Sequence, residues 1–130
     1  MNPAYFETRF RTNQVVDSWP DEFVILSAYA STGERWTPEQ NAIADRTLVA
    51  ELRARSGWLP RIVGYSPASD HAEPSWAVRL SLGDAREIGL RFRQDAIYHV
   101  REDLLSVTHC DAGAVLVPVG SFRALLDHDL

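Results

Sequence analysis

From Phe23 to Cys110 the chain reads as strand, helix, strand, strand, helix, strand, strand, and this order limits its folds more than any single motif does. Phe23 to Ala30 is a nearly continuous apolar run, the pattern of a strand covered on both faces. Thr37-Pro38-Glu39-Gln40 supplies an N-cap, a proline suited to the first helical position and a capping-box glutamine. The helix is predicted to run to about Arg55, with Ala44, Leu48 and Leu52 on its buried face and Gly57 past its end. Arg61 to Tyr65 and Trp76 to Leu80 follow as strands, separated by a loop, Ser66 to Ser75, rich in Pro, Ser, Asp and His. Ser81 and Asp84 can cap a second helix whose Ala85, Ile88 and Phe92 recur at helical spacing; Gly89 on that stripe lets its backbone approach the sheet. Ala96 to Val100 and Leu104 to Cys110 make a hairpin turned at Arg101-Glu102-Asp103, with His99 opposite Leu105 or Ser106. Outside this core, Tyr5 to Thr12 is a candidate strand, Ala114 to Val119 an apolar run, and Phe122 to Asp127 a short amphipathic segment.

A β-α-β-β-α-β order is that of the α+β, ferredoxin-like split sheet with two helices on one face, here with an extra C-terminal hairpin strand and a candidate N-terminal strand. The 130 residues suit one domain, 1–130, with its core at about 23–110 and packing segments at 1–22 and 111–130. Phe23, Ile25 and Tyr29 alternate with Val24, Leu26 and Ala28, so the face opposite the helices also needs cover. The N-terminal segment, the tail or a second copy of the chain would provide it; a homodimer through that face is one expectation.

Charge narrows the partners. With 13 basic against 18 acidic side chains, the net charge of −5 argues against a sequence-independent grip on nucleic acid. All 13 basic residues are arginine, which rules out a side-chain Schiff base, a pyridoxal-phosphate lysine and a P-loop lysine. There is no Gly-rich phosphate loop, nucleophile elbow or His-Glu-x-x-His helix, so no cofactor and no metal is expected. The lone Cys110 fits a reducing compartment. Met1 to Phe10 has no apolar signal core and no run approaches the ~18 residues of a membrane span. A cytoplasmic location with no membrane partner is the expectation.

Several segments, in order, resemble one bacterial family of uncharacterised proteins, domain of unknown function 3293. They are Tyr5-Phe6-Glu7-Thr8-Arg9-Phe10, Phe23-Val24-Ile25-Leu26-Ser27-Ala28-Tyr29, the Glu39-Gln40-Asn41 helix start, Glu73-Pro74-Ser75-Trp76, and Phe92-Arg93-Gln94-Asp95-Ala96-Ile97. Ala30-Ser31 stands where such proteins usually show Asn-Pro. The resemblance implies no particular activity.

If the elements form one sheet, the junctions at 31–37, 66–75 and 93–95 meet at one end, and the candidate ligand-binding residues Asn41, His71, Glu73, Arg93 and Gln94 lie in or beside them. Asn41, seven residues before Leu48, points with the core stripe, where a buried amide ties down a loop or meets a ligand. Gln94 ends the second helix, to cap its carbonyls or to touch a substrate. Asp70-His71-Ala72-Glu73 offers a base, with Glu73 approaching its strand through rigid Pro74; Arg93 can pair with Glu73 or hold an anion. Three readings follow. One is a non-enzymatic module binding a protein or small ligand at this end. The second is a small hydrolase or metal-assisted enzyme using Glu73 or His71, with Arg93 steadying negative charge. The third, disfavoured by the acidic balance, is an RNA binder stacking bases on Tyr29 and Tyr98 beside Arg79.

Overall fold

The structure is a computed structural model describing residues 2–30, 35–69, 71–111 and 115–128. Along the chain, a 3-10 helix (Pro3–Phe6) precedes β1 (Arg9–Thr12), β2 (Glu22–Leu26), α1 (Pro38–Arg53), β3 (Arg61–Tyr65), β4 (Ala72–Val78), α2 (Leu82–Arg91), β5 (Ala96–Arg101), β6 (Leu104–His109), β7 (Val117–Ser121), α3 (Phe122–Leu125) and β8 (Leu126–His128). The strands form one mixed sheet in the order β7-β6-β5-β2-β4-β3-β1-β8. Its pairings are antiparallel except that of β1 with β8. The α+β class agrees with the sequence, and the sheet is larger than the expected one.

Chain connectivity forces this sheet to curl. In a flat sheet of eight strands spaced about 4.8 Å apart the edges would lie ~34 Å from one another. Yet the edge strands β7 and β8 are joined through α3, from Ser121 to Leu126, and five residues reach at most ~18 Å. The two edges must therefore approach each other, as in a barrel.

Period-two alternation then splits the core in two. Val24, Leu26, Ala28, Val78 and Ile97 face the helices and pack on Leu48, Leu52, Ala85 and Ile88. Phe10, Phe23, Ile25, Ile62, Ala77 and Val100 face the inside of the curl, with Phe122 among them. One end of that inner layer is closed by aromatic rings: Trp19 lies 5.0 Å from Phe122 and 5.7 Å from Trp58, and Phe23 lies 5.2 Å from Phe122, centroid to centroid. Of the three covers expected for the face opposite the helices, the N-terminal segment and the tail supply side chains to it, through Phe10, Trp19 and Phe122.

Local chemistry sets the helix starts. The Thr37 hydroxyl oxygen accepts from the Gln40 N–H at 3.1 Å while the Gln40 side chain accepts from the Thr37 N–H at 2.8 Å. Ser81 accepts from the Asp84 N–H at 3.1 Å. The β5–β6 hairpin pairs His99 with Ser106, as expected, and turns at Glu102 and Asp103 with φ of 49° and 71°. Asp103 then anchors the tail. Its carboxylate accepts from the Ser121 hydroxyl at 2.5 Å and the Arg123 N–H at 2.8 Å, and its carbonyl accepts from the Phe122 N–H at 2.8 Å.

Three expectations need correction. The N-terminal strand is shorter than Tyr5 to Thr12, because Asn2 caps the Ala4 N–H at 2.9 Å ahead of Pro3 and starts a 3-10 turn instead. The first core strand stops at Leu26 rather than Ala30. There the Ser27 hydroxyl accepts from the Tyr29 N–H at 2.9 Å and donates to the Pro74 carbonyl at 2.8 Å, offering the backbone local partners. The loop is shorter than Ser66 to Ser75: β4 begins at Ala72 and carries Pro74 within it. Proline is tolerated because β2 ends opposite Trp76, leaving no ladder on that flank for Pro74 to break.

Candidate functional site

Inside the curl, four adjacent strands change from apolar to small or polar side chains toward the same end. Along the inner face, Ile25 gives way to Ser27, Ile62 to Gly64, Ala77 to Ser75 and Glu73, and Val100 to Tyr98 and Ala96. Small side chains leave space, and the result is a cavity of about 100 Å³. Gly64 pairs with Glu73 across β3 and β4. Gly64 carries no side chain of its own, and Thr8 and Phe10 close in on it from β1 and the turn before it. A Cβ added at Gly64 would meet Thr8 Cγ2 at 3.4 Å and Phe10 Cε1 at 3.5 Å, which is ordinary contact.

The N-terminal 3-10 turn roofs this cavity. The Tyr98 hydroxyl lies 2.8 Å from the Tyr5 carbonyl and 2.9 Å from the Thr8 hydroxyl. Phe10 packs edge-on against the Tyr98 ring with centroids 5.2 Å apart. Tyr98 therefore belongs to the wall of an interior space, not to an open sheet surface for stacking bases. Burial pushes the Tyr98 phenol well above its usual range and the Tyr5 phenol up to about 12, the second also raised by Asp95 and Glu73. Both phenols stay protonated at neutral pH and can donate.

Glu73 is the distinctive group. Desolvation in the cavity wall pushes its carboxyl up to about 7, against an opposing pull from the Ser27 hydroxyl. The His71 Nε2 lies 3.7 Å from Glu73 Oε2, but the imidazole is 65% exposed at the mouth and the carboxylate side chain 31%. Such a contact is weakly stabilising at best. In the unfolded chain a glutamate titrates at about 4.3, so the folded state holds this proton more tightly. Stability is then fully present below about pH 4.3 and declines as pH rises through about 7. Glu73→Gln lacks that penalty. It is expected to match the parent at pH 4.3 and to exceed it by about 1 kcal/mol at pH 8, after discounting for partial exposure, in urea unfolding.

Of the other sequence candidates, His71 and Gln94 line the cavity with Glu73, whereas Asn41 and Arg93 do not. Gln94 is buried, and its Nε2 donates to the Tyr29 carbonyl at 2.8 Å and the Phe92 carbonyl at 3.2 Å. It is delivered there by the end of α2, where the Arg93 N–H bonds the Leu90 carbonyl at 3.1 Å and the Gln94 N–H the Gly89 carbonyl at 2.8 Å. Arg93, at φ 58°, takes the left-handed position of this Schellman turn, and its side chain is exposed. Asn41 accepts from the Ala30 N–H at 2.9 Å and so pins the backbone after β2, one residue from the carbonyl that Gln94 holds. Residues 31–34 and Asp70, which belong to the expected junctions, lie outside the described residues. Among the described residues no group of three His, Cys, Asp or Glu side chains is placed to hold a metal ion, and no helix is long and apolar enough to cross a membrane.

Sequence reasoning missed Tyr5, Thr8, Ser27, Gly64 and Ser75 as lining residues. The alternation Glu73, Ser75, Ala77 was the available signal, hidden by Pro74.

A family model described as a protein of unknown function (DUF3293) matches residues 26–97, more than half of the chain. That span contains the five sequence candidates and Gly64 but not Tyr5, Thr8 or Tyr98. No curated protein and no solved structure matches the chain.

Proposed function

The chain belongs to the DUF3293 family, whose function is unknown, and from that premise we propose that it is a non-enzymatic domain that binds a small ligand in the cavity around Glu73. One observation carries this reading: a desolvated carboxyl lines a cavity at the end of four strands where small and polar side chains replace the apolar core. The cavity is far smaller than the ~300–1,000 Å³ of drug-sized sites, and larger than the ~30 Å³ of a water. It suits a ligand, or the end of one, with a few heavy atoms. The order β5-β2-β4-β3 with antiparallel pairings supports a ferredoxin-like core at the centre of the larger sheet.

The test is a small-fragment screen read by backbone amide NMR. Binders are expected to shift Gly64, Glu73 and Gln94, and Gly64→Val, whose methyls crowd Thr8 and Phe10 in the cavity wall, is expected to weaken those shifts while the protein stays folded. Fragments that bind as well to Gly64→Val would overturn the reading.

A carboxyl near 7 also favours a second reading, proton transfer by Glu73 with His71 at the mouth. Arg93, given the task of steadying charge in that reading, does not line the cavity.

A further inference from the structure

The geometry points to an ammonium group as the ligand, held by the Glu73 carboxylate within walls that include the aromatic residues Tyr5, Phe10 and Tyr98. This rests on the ligand-binding reading above and gives it a chemical class. A carboxylate supplies the counter-charge, and aromatic rings present negative π faces on which ammonium ions are stabilised by about 0.5–2 kcal/mol each. Ser27, Ser75 and Gln94 add oxygen acceptors for N–H groups. Among the described residues lining the cavity His71 is the one basic side chain, and it stands exposed at the mouth.

The competing classes fit worse. An anion would meet Glu73, when ionised, in a confined space, and a neutral molecule would give the ionised carboxylate no counter-charge. The chain contains no lysine, so no side-chain ammonium of its own competes for the site, and its net charge of −5 favours approach of cations. Volume sets the size: an apolar cavity of about 150 Å³ holds benzene, and this one, at about 100 Å³, holds a short alkylammonium or a tetramethylammonium-sized head. The ionisable groups near Glu73 are His71 and the phenols of Tyr5, Tyr65 and Tyr98; the Tyr65 phenol donates to Asp127, and its ring carries the Arg11 guanidinium 5.0 Å from the centroid. The exposure of His71 limits its influence. A cation requires Glu73 ionised, so binding expels the carboxyl proton and affinity climbs with pH.

Amide NMR titrations with n-butylammonium, tetramethylammonium, 1-pentanol and butyrate test the inference on the full chain at pH 6 and pH 8. At least one ammonium ion is expected to shift Gly64, Glu73 and Gln94, to bind at least tenfold more tightly than pentanol, and to gain about tenfold in affinity between the two pH values, as a carboxyl titrating near 7 requires. Glu73→Gln is expected to remove both the binding and its pH dependence; Gly64→Val is expected to weaken the binding. Pentanol or butyrate binding as tightly as the ammonium ions would overturn the cation class while leaving a ligand site in place. Silence from all four compounds would remove both. A short peptide carrying one lysine distinguishes the source: tighter binding than butylammonium assigns the ammonium to a polypeptide, equal or weaker binding to a free amine.

Discussion

Phe122→Ala is expected to lower the free energy of unfolding by about 3–5 kcal/mol, the range for truncating a buried phenylalanine. Phe122 is 1% exposed and touches Phe10, Trp19 and Phe23, with centroids 6.0, 5.0 and 5.2 Å away. Its place in the chain raises the cost: it opens α3, the short link between β7 and β8. Loss of the ring removes the plug on which both sheet edges converge, while Asp103 still holds the neighbouring backbone through Ser121 and Arg123. Urea unfolding at pH 7, with a circular-dichroism check of folding, measures the change. A loss below ~1 kcal/mol would mean that the inner aromatic layer does not close the curl.

The second large effect concerns the contact between α2 and the hairpin. Alanine usually favours a helix over glycine by about 1 kcal/mol, yet Gly89→Ala is expected to cost about 2 kcal/mol net. A Cβ at this position would lie 2.5 Å from the Cys110 Sγ and 3.3 Å from Ile97 Cγ2. Both neighbours are buried, so neither yields without moving its surroundings, and overpacking of this kind costs about 1–3 kcal/mol, occasionally more. Cys110 is a packing residue: burial pushes its thiol up to about 11, keeping it neutral. Cys110→Ala removes the sulfur and is expected to recover at least half of the loss when combined with Gly89→Ala. A double-mutant cycle measures that coupling; strict additivity would show that the helix retreats as a body and the sulfur is not the obstacle.

Features governed by near neighbours in sequence were legible. The capping box at Thr37, the serine cap at Ser81, the close approach at Gly89 and the pairing of His99 with Ser106 each depend on a few consecutive residues and a repeat of 3.6 or 2. Two kinds of segment misled. Proline, serine, aspartate and histidine make 66–75 resemble a loop throughout, yet Ala72 onward pairs with β3 as a strand, and Pro74 is tolerated there because β2 has already ended beside it. Val117–Ser121 and Leu126–His128 have little strand signal of their own; they are strands because an existing sheet edge offers them unpaired backbone groups.

The candidate site divides along the same line. Glu73, His71 and Gln94 stood out as polar residues near chain junctions, which composition reveals. That they share a cavity follows from side chains absent elsewhere: Gly64 on β3, Ser27 beyond β2 and Ala96 on β5 carry little bulk. Hydrophobic periodicity tells which face of a strand turns inward, because that depends on one strand alone. Whether the space in front of that face is filled depends on residues brought together from four strands and an N-terminal turn, and no stretch of chain encodes that sum.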